Sequence, residues 1–388
     1  MRTIPNVYPQ MDPSLWRDEF PLAKATIYLN HAGVAPWPRR AAEAVTAFAE
    51  HNVHHGASNY SHWLETERRL REQLRQLINA PASDDIALLK NTSEGLSFVA
   101  NGIAWSAGDN IVISAEEFPS NRIPWEALQP RGVAVRQIEL LHGHPCPEQA
   151  LLDACDGRTR LLAISSVQYA SGFRVDLDLI GTHCRNHGIL FCVDAIQTLG
   201  ALNFDVSACH ADFVVADAHK WMLGPEGIAL FYVNSAIREE ITLSEFGWHM
   251  TQDPNDFDRK DWRPADSARR FECGSPNLLG VHALSASLSL LHEIGIAAVS
   301  RIVLNNTSYL TDTIIQHSDL ELRSPAQPAH QSGIVSFRHR RHLSETLYRK
   351  LHAEGVVCAI RGGAIRFSPH FYTPRDQLDR ALELVTDC

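Results

Sequence analysis

The sequence lacks two features that macromolecular and membrane partners usually require: clustered positive charge and long hydrophobic runs. Its 388 residues carry a formal net charge of −10 with a pI near 6.0, and the basic residues are scattered. Nucleic acids and anionic membranes attract clustered Lys and Arg, so neither is expected as a partner. No apolar run is long enough to cross a bilayer. We therefore expect a protein that handles small molecules.

The first 20 residues and the cysteines both favour a cytoplasmic location. Residues 1–20 contain prolines and acids, but no apolar segment of the kind found in secretory signals. The eight cysteines are dispersed and include no C-x-x-C pair. In a chain of this length, that usage is typical of reduced, mostly buried thiols.

Two other patterns are incomplete. His51, His54 and His55 cluster in sequence but lack a carboxylate partner, so we expect no metal site there. No G-x-G-x-x-G motif follows a predicted strand, which argues against a Rossmann oxidoreductase.

Short apolar runs alternate with helical patterns in the middle of the chain. Such alternation predicts βαβ units, and hence an α/β fold with a mostly parallel seven-stranded sheet. Helical periodicity also covers residues 39–78, with a break near Gly56, and one long helix is predicted over residues 284–317. The apolar runs are residues 86–89, 110–114, 133–138, 161–167, 189–193, 213–216 and 228–233.

The pattern changes near residue 284, where the alternation of strands and helices gives way to one long predicted helix followed by short strands and helices. A chain of this length usually divides into a large and a small domain. We predict an N-terminal arm over residues 1–20 that packs with the small domain. Residues 21–283 are predicted to form the large, cofactor-binding domain, and residues 284–388 a small C-terminal α+β domain.

Chemically useful side chains follow the predicted strands at the point where each strand ends. In an open parallel sheet, ligands bind beyond the carboxyl ends of the strands, so we expect these side chains to share one crevice. They are Thr92 and Ser93 at a helix start, Phe118, Asp194 with Gln197, and His219 with Lys220.

This set matches the needs of pyridoxal phosphate (PLP). Hydroxyls and N–H groups at a helix start bind phosphate, and Asp194 would keep a pyridine nitrogen protonated. Lys220, desolvated after a buried strand, would have a lowered pKa and could form a Schiff base. Taken singly, each residue has an ordinary explanation: an N-cap for Thr92 and Ser93, a strand-end cap for Asp194, a solvated side chain for Lys220. Their conjunction favours the cofactor.

The block CVDAIQTLGALNFDV, followed by ADFVVADAHKWMLGPEGIALFYV, resembles the class V aminotransferase family. That family includes cysteine desulfurases, selenocysteine lyases, kynureninases and isopenicillin N epimerase. The resemblance extends from YLNHAG at residues 28–33 to IRFSPHFYT at residues 365–373. It implies PLP as the cofactor, the PLP-dependent transferase fold of type I, and a homodimer whose active sites lie at the interface.

The resemblance also implies how the cofactor is held. Lys220 would carry it and move the proton, Asp194 would pair with the pyridine nitrogen, and Gln197 would pair with the phenolic oxygen. The residues implied to hold the phosphate are Thr92, Ser93 and His219.

Substrate and partner contacts follow from the same resemblance. Arg366, in RGGAIRFSPHFYT, matches the arginine that binds the substrate α-carboxylate, for which bidentate geometry favours arginine over lysine. Arg361 is a candidate second anion contact. Ser275, in RFECGSPN, resembles the residue that reaches the phosphate bound by the partner subunit.

Two departures from the family pattern argue against a persulfide-forming desulfurase. Phe118 stands where desulfurases carry a histidine, so it can stack on the cofactor but cannot exchange protons. The interval 361–366 contains no cysteine to take up sulfur, and Cys358 just before it is expected to be a buried strand residue.

Two further departures concern the cofactor contacts. Asp217 stands where many relatives have a small hydroxyl residue, and its carboxylate would repel a phosphate unless it points away or a donor bridges it. Gln168 and Tyr169 stand where desulfurases have an asparagine, and Tyr169 could act as an acid or donate to the phenolic oxygen. These changes resemble the epimerase and C–S lyase branches.

The sequence therefore predicts a PLP enzyme that binds a free amino acid and removes its Cα proton. The expected outcome is β-elimination, as in a C–S lyase, or transamination. Epimerisation at Cα, as in isopenicillin N epimerase, is the alternative within the family. A PLP-binding pseudoenzyme is disfavoured by the intact set of Asp194, Gln197, Lys220 and Arg366.

Overall fold

The computed structural model describes residues 13–141 and 146–387. The helices of these residues are α1 (Arg39–His55), α2 (Tyr60–Leu77), α3 (Thr92–Gly102), α4 (Ile123–Glu126), α5 (Pro147–Asp153), α6 (Leu177–His187), α7 (Leu278–Ile294), α8 (Ile296–Gln316), α9 (Ser344–Ala353) and α10 (Arg375–Thr386). The strands are β1 (Ile27–Tyr28), β2 (Ile86–Leu89), β3 (Asn110–Ser114), β4 (Ala134–Ile138), β5 (Thr159–Ser165), β6 (Leu190–Asp194), β7 (Phe213–Asp217), β8 (Ala229–Val233), β9 (Leu320–Leu322), β10 (Val335–His339), β11 (Val356–Val357), β12 (Ala359–Arg361) and β13 (Ala364–Phe367).

Seven strands form the central sheet, in the order β2-β8-β7-β6-β5-β3-β4. Strand β8 runs antiparallel to both of its neighbours, while the successive pairs from β7 to β4 are parallel. The predicted α/β fold with a mostly parallel seven-stranded sheet is therefore confirmed. The predicted strand over residues 161–167 begins and ends two residues earlier, as β5 (Thr159–Ser165).

Both faces of the central sheet are covered, which explains why its strands are nearly continuous apolar runs. Val193 and Val214 pack in one hydrophobic cluster, together with side chains of α2, α6, α7 and α8. Their chain neighbours Cys192 and Phe213 pack in a second cluster, with side chains of α3 and α4. Because β5, β6 and β7 are parallel, their carboxyl ends lie at one edge of this buried sheet.

The prediction of one helix over residues 284–317 is wrong. Helices α7 and α8 are separated by Gly295, whose φ of 84° is incompatible with a continuous α-helix and is readily adopted by glycine. Their axes differ by 82°. Among the described residues, no single helix is long and apolar enough to cross a membrane; α7 and α8 reach that length and apolarity only together, as a bent pair.

A smaller antiparallel sheet has the order β12-β13-β10-β9. The N-terminal strand β1 pairs in parallel with β11, so an early segment of the chain joins the C-terminal region. Nearby, the Phe20 ring stacks on Tyr372 with a centroid separation of 3.6 Å. The predicted arm over residues 1–20 lies largely outside the described residues, and the boundary between residues 283 and 284 stays a prediction.

Candidate active site

A cavity of about 320 Å³ lies at the carboxyl ends of β5, β6 and β7. It is the crevice that the strand-end argument predicts, and the small sheet contributes β12 and β13 to its wall. Ten of the predicted site residues line it: Thr92, Ser93, Phe118, Tyr169, Asp194, Gln197, His219, Lys220, Arg361 and Arg366.

One end of the cavity is formed by the N-terminus of α3. The Asn91 side chain caps this helix by accepting a hydrogen bond from the Glu94 N–H at 2.9 Å. Thr92 and Ser93, the first two helical residues, have backbone N–H groups that no intrahelical carbonyl can reach. Together with the two hydroxyls and the helix dipole, these N–H groups suit an anion such as a phosphate.

The Asp217 carboxylate at this end is turned towards donors. Its Oδ1 accepts a hydrogen bond from the Ala218 N–H at 3.1 Å. The same oxygen lies 3.2 Å from Nδ1 of His219, close enough for charge pairing although the hydrogen-bond geometry is poor. The Ala218 N–H thus donates to the Asp217 carboxylate and the His219 ring lies beside it, so the carboxylate is turned towards these groups rather than towards the helix start.

The floor of the cavity carries a buried acid and a buried amine. Asp194 is 2% exposed, and its burial raises the pKa to about 6, against the opposing effect of the Ile196 N–H that donates to Oδ1 at 3.0 Å. Burial lowers the pKa of Lys220 to about 8, against the attraction of Asp194. Both groups are therefore poorly solvated. A protonated pyridine nitrogen beside Asp194 would supply the positive charge that this carboxylate lacks.

Arg366 is a buried cation to which the described part of the chain supplies no carboxylate partner. It is 1% exposed, and burial lowers its pKa to about 9. Nη1 donates to the Tyr169 carbonyl at 2.7 Å and Nη2 to Oδ1 of Asn30 at 3.4 Å, while Nε meets no acceptor in residues 13–141 and 146–387. Among the described residues no carboxylate forms a salt bridge with Arg366, so a ligand carboxylate would find a desolvated cation to pair with. Arg361, which is exposed, lies at the rim.

A family model described as Aminotransferase class-V matches residues 27–380. The chain belongs to this family. As a class-V family member it is a PLP-dependent enzyme, which confirms the predicted cofactor. The cavity agrees with that assignment, because it combines an anion site at a helix start, a buried carboxylate, a half-buried lysine and an arginine that no described carboxylate pairs with.

Relatives of this class-V chain are similar along most of their length. A probable cysteine desulfurase from Methanothermobacter thermautotrophicus is 31% identical over 384 residues, which cover 93% of this chain and 94% of that protein. The apo cysteine desulfurase of Thermococcus onnurineus NA1 superposes with a TM-score of 0.86 at 22% identity, over 98% of both chains. The cystine C–S lyase C-DES, in complex with its reaction product cysteine persulfide, gives a TM-score of 0.86 at 24% identity, over 94% of this chain and 99% of that one. The two structures share the fold.

Two residues that the sequence analysis considered, Cys358 and Ser275, lie outside the cavity. Cys358 is buried, at 4% exposure, and burial raises the pKa of its thiol to about 12, as expected for a buried cysteine. It lies between β11 and β12 rather than within a strand, so the predicted strand position is wrong. Ser275 is exposed and lines a separate surface cavity with Lys90 and Glu94. Its implied contact with a partner subunit stays a prediction.

The sequence analysis missed a buried acid that supports two walls of the cavity. Glu117 accepts hydrogen bonds from the Ser165 N–H (2.7 Å) and from the side-chain amides of Gln168 (2.9 Å) and Asn121 (3.0 Å). It thereby ties together the segments that carry Phe118 and Tyr169. The rings of those two residues meet edge to face at 5.2 Å. Burial raises the pKa of Glu117 to about 7.

Asn30 was also missed, although its motif was noticed. The YLNHAG segment served only as a mark of family resemblance, and nothing in the residue type indicated that the Asn30 side chain meets an arginine more than 300 positions later. In the structure, Asn30 lines the cavity and contacts Arg366. A β-carbon on Gly33 would lie 2.7 Å from the Asn30 amide, so a larger residue at position 33 would displace that amide from its present position.

The burial of Glu117 predicts a specific pH dependence of stability. Its folded-state pKa of about 7 exceeds the ordinary value of 4.5, so its contribution is complete below pH 4.5 and is lost as the pH rises through 7. We expect the difference in free energy of unfolding between the native protein and Glu117→Gln to shrink across this range. Urea unfolding at a series of pH values measures it. Exposed Glu50→Gln is the charge control, and a difference for Glu117→Gln that does not change with pH would contradict the prediction.

Proposed function

We propose that the protein is a C–S lyase that takes an amino acid of the cysteine or cystine type and releases its sulfur substituent by β-elimination. The observation that carries this proposal is that one cavity contains both the desolvated Lys220 beside Asp194 and Arg366, for which the described residues provide no carboxylate partner. The names of the relatives, cysteine desulfurases and a cystine C–S lyase, support the substrate class.

The cavity residues provide a place for each part of PLP. Asp194 would keep the pyridine nitrogen protonated, Gln197 would donate to the phenolic oxygen, and Lys220 would bind the aldehyde group. When bound, PLP withdraws electrons from the substrate Cα and so stabilises the charge left by a departing proton. The phosphate would be held by Thr92, Ser93 and His219. The aromatic side chains Phe118 and Tyr169 would border the ring and the substrate.

Arg366 would orient the substrate through its α-carboxylate. The guanidinium is fixed by the Tyr169 carbonyl, and no acceptor among the described residues bonds to Nε, so the group can add hydrogen bonds to an incoming carboxylate. Arg361, exposed at the rim, would serve as the second anion contact. This arrangement would place the Cα proton of the substrate within reach of the Lys220 amine.

Lys220 would be the general base. Its pKa of about 8 leaves part of the amine neutral near neutral pH, which a base requires. The same amine, once protonated, can return the proton to the leaving sulfur or to a later carbon centre. Asp194, at the floor of the cavity, would keep its negative charge if a protonated ring nitrogen were bound beside it.

Two features favour elimination over cysteine desulfuration. The interval 361–366 holds no cysteine to accept sulfur, and the nearest one, Cys358, is a buried thiol whose raised pKa of about 12 keeps it protonated. The sulfur would therefore be released to solvent as hydrogen sulfide when the substrate is cysteine. When the substrate is cystine, it would leave as part of the other half of that molecule. The comparisons do not favour the epimerase alternative.

We also propose a homodimer and a cytoplasmic location. Ser275 is exposed and outside its own chain's cavity, as a residue that acts in the partner's site would be. Cys184, Cys192 and Cys209 are buried free thiols, a usage that suits a reducing compartment. The experiment described next distinguishes β-elimination from transamination.

The products identify the reaction. With cysteine as the substrate, we expect one cysteine and one water to give pyruvate, ammonia and hydrogen sulfide in equal amounts. No added keto acid should be required. Cys358→Ala should keep the native rate, because no step uses that thiol. Alanine as the product, activity that requires a keto acid, or loss of activity in a folded Cys358→Ala protein would each contradict the proposal.

Arg366→Lys tests the carboxylate contact. Lysine keeps the charge but loses the planar pair of donors, so we expect KM for the amino acid to rise by about 10- to 100-fold, as for the loss of one charge-assisted hydrogen bond. The matched variant Arg361→Lys, at the exposed rim, should change KM much less. Steady-state kinetics with both variants measure this, and an unchanged KM for Arg366→Lys would rule out the assigned contact.

A further inference from the structure

The side-chain amide of Gln197 is held at both ends by other parts of the chain. Its Nε2 donates to the Ala32 carbonyl at 3.1 Å, and its Oε1 accepts from the indole N–H of Trp221 at 2.9 Å. Gln197 is only 2% exposed, yet it lines the cavity. The amide therefore stands between the interior of the protein and the ligand.

The chemistry of the two partners allows one orientation of this amide. An indole N–H can only donate and a carbonyl oxygen can only accept. A flipped amide would oppose two donors at Trp221 and two acceptors at Ala32, which in a buried place is costly. The bond to Ala32 uses one of the two hydrogens on Nε2, and the second is available to a ligand in the cavity.

Trp221 is itself fixed in place. The residue is fully buried, and its carbonyl accepts a hydrogen bond from Nε2 of His370 at 3.1 Å. Nδ1 of His370 accepts from the Phe371 N–H at 2.8 Å, which assigns the proton to Nε2. Burial lowers the pKa of His370 well below its ordinary value, so the ring stays neutral. A β-carbon on Gly333 would lie 2.4 Å from the Trp221 ring, so the indole has no room to shift there.

We propose that Trp221 is a positioning residue that acts through Gln197. By fixing Oε1, the indole N–H turns the amide N–H of Gln197 towards the phenolic oxygen of the cofactor. The proposal rests on the placement of PLP described under the proposed function. Trp221 directly follows Lys220, so one short segment supplies both the amine and the group that orients the neighbouring hydrogen-bond donor.

The test is the pH titration of visible absorbance of the PLP-loaded protein. A hydrogen bond from an N–H to the phenolic oxygen of PLP stabilises the negative charge on that oxygen. The stabilisation is strongest when the nitrogen that joins Lys220 to PLP has lost its proton, so the hydrogen bond lowers the midpoint of the absorbance titration. Trp221→Phe removes the indole N–H while keeping an aromatic ring. We expect the midpoint to rise by about one pH unit, the size expected for one hydrogen bond to a charged oxygen.

A double-mutant cycle separates positioning from general packing. Gln197→Met should raise the midpoint as Trp221→Phe does, and adding Trp221→Phe to Gln197→Met should cause no further rise. Trp105→Phe is the control, because the Trp105 indole N–H also donates within the protein, to the Ala100 carbonyl at 2.7 Å, near the end of α3 that is remote from the cavity. It should leave the midpoint unchanged.

Two results would overturn the proposal: a native midpoint in Trp221→Phe while Gln197→Met shifts, or a Trp221→Phe shift that persists fully in the double variant. If Trp221→Phe does not fold, indole ¹⁵N spectra of the native protein and Gln197→Met replace it. One of the eight tryptophan N–H signals should differ strongly in chemical shift between the native protein and Gln197→Met. The same shift in both proteins for all signals would reject the contact between Trp221 and Gln197. Failure of the native protein to take up PLP would instead reject the proposed function.

Discussion

Exclusion of water from the carboxyl edge of the central sheet governs the charge of the ionisable groups in the cavity. Burial raises the pKa of Asp194 to about 6, and lowers that of Lys220 to about 8 and that of Arg366 to about 9. Each shift weakens the charged form of its group, because each lacks an adequate counter-charge. A positive ring nitrogen beside Asp194 and a substrate carboxylate beside Arg366 would again stabilise the charged forms that burial destabilises. The cavity is thus complementary to PLP and an amino acid together.

Hydrogen bonds of fixed polarity keep this low-dielectric site in one arrangement. Glu117 accepts from donors on the segments that carry Phe118 and Tyr169, and so joins two walls of the cavity. On the other side, Trp221 and the Ala32 carbonyl leave the Gln197 amide a single favourable orientation. Such networks are costly when half satisfied and rigid when complete, which suits a site whose ligand must be held at a defined position.

The strand-end rule explains why much of the site could be predicted from sequence. Thr92, Asp194 and Lys220 lie far apart in the chain, but parallel strands bring their carboxyl ends to one edge. The break at Gly295 was missed because apolar residues continue on both sides of it, and periodicity alone does not report a positive φ. Glu117 and the Trp221–Gln197 bond were missed for another reason: a residue type does not reveal that it is buried, nor which distant donor it meets. The role of Ser275 depends on a second subunit, which one chain does not provide.

The account depends most on Lys220 as the residue that carries the cofactor. Reduction of the PLP-loaded native protein with borohydride, followed by peptide mapping by mass spectrometry, tests this directly. The account predicts a stable pyridoxyl group on the peptide that contains Lys220, together with loss of the visible absorbance. A pyridoxyl group on a different lysine, or on none, would contradict it.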